Sequence, residues 1–410
     1  MRLKDVSILN PVYQGDALDT EVSFVPMESL RYGKIDFQEI PFSEGKGKYT
    51  FFANGDLLIA KVTPCFENGN IAIANDMKEG IGFGSSEIFV LRMDKSVLNT
   101  YMFYFVQTSK FQDAACATMC GVGGLKRISP LFMRTYELSI PSLSVQQKIV
   151  DYLDEKTSAI DTQVELLEKK KDAYTRLKKA MINRAVTRGL DEHVKMKDSG
   201  VEWIGMIPEH WEVKRIKDVI SDIFMGVSPV YEYEIDNQNY VFGQRNNQLY
   251  GIDFEDIKHA KDDFFTSRPQ KEFLKYGDVL LNTLGGGSVG RAGFYDKEDN
   301  TPVITDGHVM IIRSKTYNTR YMYYYLYSRR ERLEMMAIGS TNQAFFNVSD
   351  IREISLPTPF IKEQQSIVAY LDEKCAKIDA AIANIDKQTD ALKRLKRSLI
   401  NEVITGQRAV

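Results

Sequence analysis

Apolar residues at Ile149, Leu153, Ile160, Val164, Leu167, Tyr174, Leu177 and Met181 follow steps of three, four and seven, which line one stripe of a helix. The same spacing returns at Ile367, Leu371, Ile378, Ile382, Ile385, Leu392, Leu395 and Leu399, with Lys, Asp and Glu filling the other positions. No Pro or Gly interrupts Val145 to Arg188. The pattern therefore predicts about forty residues of helix, a rod of roughly 60 Å. A lone helix of this length cannot bury its apolar stripe by itself. The other copy in the same chain is the nearest partner, so the expectation is an intrachain, antiparallel two-helix coiled coil. The alternative is two independent helices, each lying on its own domain.

The two stripes belong to a repeat. IVDYLDEKTSAID (149–161) reappears as IVAYLDEKCAKID (367–379), each after a Gln pair, Gln146-Gln147 and Gln364-Gln365. The register holds at constant offset from Gln146 to Thr187 with roughly half the positions identical, far above chance. It also reaches beyond the helices. Arg2-Leu3-Lys4-Asp5-Val6 answers Arg215-Ile216-Lys217-Asp218-Val219, and the Gly-Asp turn before Leu57 answers that before Val279. Tyr101–Phe105 answers Tyr321–Tyr325, and Pro141 and Pro357 each mark a boundary before a long helix. Between these landmarks lie short apolar runs split by Gly and Asn, which read as strands. The fold class is α+β: two β-rich globular domains joined by the helix pair, with a pseudo-two-fold internal repeat. Residues 197–213, KDSGVEWIGMIPEHWEV, carry both Trp residues and read as the connector into the second domain.

A length of 410 residues predicts two or three domains. No apolar run approaches a membrane span and no signal-peptide core stands at the start, so a cytoplasmic location is expected. Four scattered Cys and four His offer no metal-ligand spacing, and the thiols are expected to be reduced. A net charge of −3 argues against general polyanion binding, so any nucleic-acid site must be a local basic surface.

Several motifs weigh little. Asn10-Pro11-Val12-Tyr13 looks like an adenine-methyltransferase signature, but no Gly-rich cofactor turn accompanies it, and a turn explains it. Gly285–Gly290 lacks the Lys-Ser or Lys-Thr of a nucleotide loop and is followed by Arg291, which could approach a DNA phosphate. Glu44-x-Lys46 and the twin Asp154-x-Lys156 and Asp372-x-Lys374 are fragments of nuclease patterns, the twins on a solvated helix face. The aromatic helices are read as core rather than as base-stacking platforms. Two loops at equivalent places differ in chemistry: one offers Gly123, Lys126 and Arg127, the other Thr341, Asn342 and Gln343. Lys and Arg suit phosphates or guanine, Asn and Gln suit adenine, as two different half-sites would require. Gln244-Arg245-Asn246-Asn247 is a further polar cluster of this kind. Each could equally be an ordinary exposed loop.

The duplicated IVxYLDEK…ID helices, the Gln pairs, the Gly-Asp turns and the Trp-bearing connector together resemble the DNA-specificity subunits of type I restriction-modification systems, over essentially the whole chain. The resemblance implies two target recognition domains, 1–144 and, with the connector, 191–358. It also implies a central conserved helix at 145–190 and a distal one at 359–410. It further implies a non-catalytic subunit that binds double-stranded DNA and holds two methyltransferase subunits, which bring S-adenosylmethionine, and two restriction subunits, which use ATP and Mg. Family members often carry a Trp-bearing segment before the first domain. This chain starts directly at RLKDV, so a slightly shortened first domain or a misplaced start is expected.

On this reading each domain reads half of a gapped, asymmetric target, and the helix pair acts as a ruler between half-sites about one turn, roughly 34–36 Å, apart. Leu153, Asp154, Glu155 and Lys156, with Leu371, Asp372, Glu373 and Lys374, are candidates for docking the methyltransferases or for the helix seam. The competing classes are a self-sufficient methyltransferase or nuclease, and a coiled-coil scaffold without a DNA role.

Overall fold

The computed structural model describes residues 1–410 except 123, 230–232, 235–236, 249–250, 299–300 and 340–343. Two compact units divide the chain: Met1–Glu168 with Asp386–Val410, and Lys169–Ile385. The two long helices run Leu143–Arg188 and Ile361–Ile404, each contributing one part to either unit.

In the first unit, strands Ser7–Leu9, Ile88–Met93, Leu57–Ala60 and Ile71–Ile73 lie in that order, all antiparallel. A second sheet orders Gln38–Pro41, Glu21–Val25, Ile81–Gly84 and Thr50–Ala53, with its central pair parallel. The second unit repeats the plan. Asp222–Met225, Val309–Arg313, Val279–Asn282 and Ala292–Phe294 form the antiparallel sheet. Tyr233–Glu234, Lys258–Ala260, Tyr240–Phe242 and Val303–Thr305 form the other, again with one parallel pair.

The Gly-Asp turn works identically in both. Gly55 and Gly277 each adopt φ 91°, open to glycine and costly for other residues. The aspartate that follows accepts the backbone N–H three residues back, from Ala53 at 2.8 Å and from Lys275 at 2.9 Å. Both carboxylates are buried, and each is gripped by an arginine on the neighbouring strand: Arg92 at 2.8 and 2.7 Å, Arg313 at 2.7 Å twice. Pairing is what makes such burial tolerable.

The aromatic helices, Asn99–Phe105 and Thr319–Ser328, belong to the cores. In the second unit, buried phenols reach carbonyl oxygens: Tyr321 to Val186 at 2.9 Å, Tyr325 to Ser355 at 2.7 Å and Tyr317 to Pro357 at 2.8 Å. The connector supplies a hairpin, Met196–Asp198 with Met206–Pro208, and then Trp211, wholly buried in the same core.

Within each unit the long helices pack against each other antiparallel. In the first, Asp161 and Glu168 meet Lys396 and Lys393, one number rising as the other falls. In the second, Lys178 meets Asp379, while Ile182, Ala185 and Val186 share a core with Ile367, Leu371 and Cys375. The expected stripe needs one correction at equivalent places. Leu177 and Leu395 are each 54% exposed. The buried face turns instead to Ile182, Ala185 and Val186 on one helix and to Ile400 and Val403, beside the expected Leu399, on the other, which enter the globular cores.

Candidate nucleic-acid interface

The loop carrying Lys126 and Arg127 is a β-hairpin, Cys120–Val122 with Leu125–Arg127; Gly123 lies outside the described residues. The hairpin is bolted down by a segment sixty residues away. Thr63 Oγ1 donates to the Gly124 carbonyl at 2.9 Å and accepts from the Lys126 N–H at 2.8 Å. The Thr63 N–H reaches the Lys126 carbonyl at 2.9 Å, and the Ile128 N–H reaches that of Lys61 at 2.9 Å. Lys126 is exposed. Arg127 is exposed too, but Glu87 holds it through Nε at 2.8 Å and Nη2 at 2.9 Å. That pairing, ahead of the burial opposing it, holds the Glu87 carboxyl below its usual range.

The Gln244–Asn247 cluster divides sharply. Asn246 and Asn247 are buried. Asn246 accepts the Gly243 N–H at 3.0 Å; Asn247 donates to Asn282 Oδ1 and to the Arg291 carbonyl, both at 3.0 Å. Their amides brace the loop from within. Arg291 is turned inward as well, donating to the Asn247 carbonyl at 2.9 Å and the Gly287 carbonyl at 3.0 Å. These bonds tie Arg291 to the Gly285–Gly290 loop and to the Asn247 strand. Gln244 accepts from Ser288 Oγ at 3.3 Å, and exposed Arg245 donates to the Asp256 carbonyl. Thr341, Asn342 and Gln343 lie outside the described residues.

The helix candidates split in the same way in both units. Leu153 and Leu371 are fully buried in their units' cores. Asp154 accepts the Tyr104 hydroxyl at 2.7 Å; Asp372 accepts the Tyr324 hydroxyl at 2.5 Å and Arg320 Nε at 2.9 Å. These four tie helix to domain. Glu155 pairs with its neighbour Lys156 at 2.8 Å, and Glu373 with Lys377 at 2.6 Å. Lys156 and Lys374 lie over Tyr152 and Tyr370, each at 5.8 Å. The outward surface thus consists of Glu155 and Lys156, with Lys374 and Glu373 as counterparts, and of the exposed leucines. In the second unit a cavity of about 580 Å³ runs along Leu177, Met181, Leu190, Tyr370 and Ile378.

Sequence reading missed the residues that hold the site. Glu87 and Thr63 are remote in sequence from the hairpin they support, and no local pattern marks them. The first glutamine of each pair stands out in the sequence through its repetition alone. Gln146 is buried, accepting the Leu98 N–H at 2.8 Å and donating to the Ser96 and Pro141 carbonyls at 2.9 Å. Gln364 does the same with the Asn318 N–H and the Pro359 carbonyl, both at 2.9 Å. Its repetition was the available signal.

Two β-rich units, each fastened by the same glutamine and the same Tyr–Asp contact to its own part of the two long helices, define a duplicated subunit. The type I restriction-modification DNA specificity domain matches residues 10–173 and again 208–393, and the chain belongs to that family. It is 34% identical over 152 residues to the specificity subunit of the type I restriction enzyme EcoAI of Escherichia coli, 36% of this chain and 26% of that protein. The match thus spans about a quarter of that relative. The MjaVIII specificity subunit of Methanocaldococcus jannaschii is 25% identical over 337 residues, 80% of this chain and 75% of that protein. A solved chain from work on complex assembly and conformational transition of the type I R-M system shares the fold at a TM-score of 0.73 and 17% identity, over 98% of this chain and 96% of that one.

Proposed function

We propose that this chain selects the DNA sequence for a type I restriction-modification complex. Each unit reads one half of a gapped, asymmetric double-stranded target, and the helix pair sets the unread spacer. The observation that carries the reading is the duplicated fastening of a variable β-rich unit to a common helix: Gln146 and Gln364, Tyr104–Asp154 and Tyr324–Asp372 recur while the loops beyond them differ. A repeated mount with non-repeated loops suits two unlike half-sites.

The same duplication supports two copies of one partner. Equivalent residues, Lys156 over half-buried Tyr152 with exposed Leu395 in one unit, Lys374 over half-buried Tyr370 with exposed Leu177 in the other, suit two methyltransferase subunits, with restriction subunits joining them. Each exposed leucine offers apolar area that a docked partner would cover, with the neighbouring charges at its polar rim. On this reading methyl transfer, S-adenosylmethionine, ATP and Mg belong to the partners, and this chain contributes recognition and assembly. Among the described residues no group of three or more His, Cys, Asp or Glu is placed to hold a metal ion.

Single-molecule methylation profiling of host DNA with and without the gene tests the reading. Loss of methyladenine from one gapped motif on deletion is expected. An unchanged profile, with no methyltransferase co-purifying, overturns it.

A further inference from the structure

The geometry points to Arg127 as a guanine-reading residue of the first unit, with Glu87 as the buttress that positions it. This inference rests on the DNA-specificity reading and adds the base. A guanidinium has two forked edges, a side edge (Nε and Nη2) and an end edge (Nη1 and Nη2). Glu87 occupies the side edge with two parallel bonds, 2.8 Å to Nε and 2.9 Å to Nη2. Nη1 and the outer hydrogen of Nη2 are left facing away from it. Among the described residues no hydrogen bond occupies that end edge. It matches the O6 and N7 acceptors of guanine in the major groove.

Arg92 pairs its side edge with Asp56 in the same way, but lies over the Phe51 ring and is 35% exposed; two further arginines contrast with Arg127. Arg313 has its side edge on Asp278 and its remaining donors on the Lys271 and Phe273 carbonyls. Arg291 donates to the Asn247 and Gly287 carbonyls and to Gln248 Oε1. Arg127 instead stands 48% exposed on a hairpin bonded rigidly to Thr63 and Lys61. Glu87 is equally fixed, its carbonyl accepting the Lys61 N–H at 3.0 Å and its own N–H reaching Ser85 Oγ at 3.2 Å. A carboxylate beside the guanidinium also argues against a phosphate contact, because it cancels the charge a phosphate would seek and repels the phosphate itself. A neutral base edge meets no such penalty. Lys126, exposed and one residue earlier, is the better phosphate contact.

The test is methylation profiling of host cells carrying the complete system with Arg127→Gln, Arg127→Lys or Glu87→Gln. A bidentate arginine separates guanine from other bases by on the order of ten- to a hundredfold. Arg127→Gln is expected to relax one G·C position of one half-site by about that factor. The rest of that half-site, the spacer and the second half-site should stay unchanged. Arg127→Lys keeps the charge and loses the fork, so it should relax the same position; Glu87→Gln should relax it less. If Arg127→Lys preserves the full motif, Arg127 contacts a phosphate and the inference fails. It fails also if the wild-type half-sites contain no G·C pair. If the wild-type system methylates no gapped motif, the specificity reading itself fails, and this inference with it.

Discussion

Lys178 Nζ donates to both carboxylate oxygens of Asp379 at 2.7 Å. At the equivalent place in the other unit Lys396 grips Asp161 at 2.7 and 2.6 Å. Each lysine is almost covered, 12% and 11% exposed, and each lies under a tyrosine, Tyr327 at 5.9 Å and Tyr32 at 4.3 Å. The tyrosines come from unrelated places, an aromatic helix and a hairpin loop, so the repeat has kept the interaction while changing its source.

A covered ammonium without its partner is expensive, whereas exposed pairs contribute little. Asp379→Ala should therefore cost about 1–3 kcal/mol in urea unfolding, well above Glu373→Ala on the solvated face. The swap Lys178→Asp with Asp379→Lys should recover part of the loss. Equal, small effects for Asp379 and Glu373 would show that the pair is no different from a surface pair.

The glutamine pairs offer a sharper comparison. Gln146 is buried and makes three bonds to backbone groups, while the Gln147 side chain reaches Asp151 on an exposed face. Gln146→Ala leaves one N–H and two carbonyls without their partner and should cost about 2–4 kcal/mol. Gln147→Ala should cost less than about 0.5 kcal/mol. Thermal unfolding of the two variants decides it, and a reversed order would refute the fastening role.

That comparison shows what could be read in advance. The long helices were legible because apolar period and the absence of Gly and Pro are local properties, and the pseudo-two-fold plan because the repeat is written in the chain. Which glutamine turns inward was not legible, since both repeat equally. Leu177 and Leu395 kept the period yet lie exposed, because a straight helix drifts off a seven-residue repeat and each helix end packs on a globular core instead of its partner. Asn246, Asn247 and Arg291 have the side chains of base and phosphate readers, but composition cannot tell a reader from a brace. The Glu87–Arg127 pair joins residues forty apart and leaves no mark on either neighbourhood.

Burial pushes the phenols of Tyr317, Tyr321, Tyr324 and Tyr325 well above their ordinary range, with Asp372 raising Tyr324 further. Unfolded, they ionise near pH ~10. Above that pH the folded chain holds protons that the unfolded chain has lost. The stability from these groups is therefore complete below about pH 10 and declines as pH climbs toward the folded values. Phenolate absorbance should rise in a late, cooperative step coincident with loss of helical circular dichroism. Smooth titration of every tyrosine near pH ~10 in a still-folded protein would contradict it.

Cys375 sits in the second unit's core, and burial pushes its thiol up to about 11. The thiolate is the reactive form, so at about pH 8 this residue should resist alkylation until the chain unfolds. Cys120, on the exposed hairpin, should label at once. Peptide mapping after brief treatment distinguishes them, and early labelling of Cys375 would mean that its surroundings open readily.

If the helix pair sets the spacer, lengthening both helices together must change the spacing and nothing else. One heptad added to each, at matched positions between Asp161 and Lys178 and between Asp379 and Lys396, keeps the apolar stripe in phase. Seven residues add about 10 Å of helix, equal to roughly three base pairs of B-DNA. The methylated motif should then keep both half-sites and shift its unread spacer by up to that amount. A heptad added to one helix alone should instead misalign the pair and reduce methylation without defining a new spacer. Retention of the original spacer with full methylation in the doubly extended protein would show that the partners, not these helices, fix the distance.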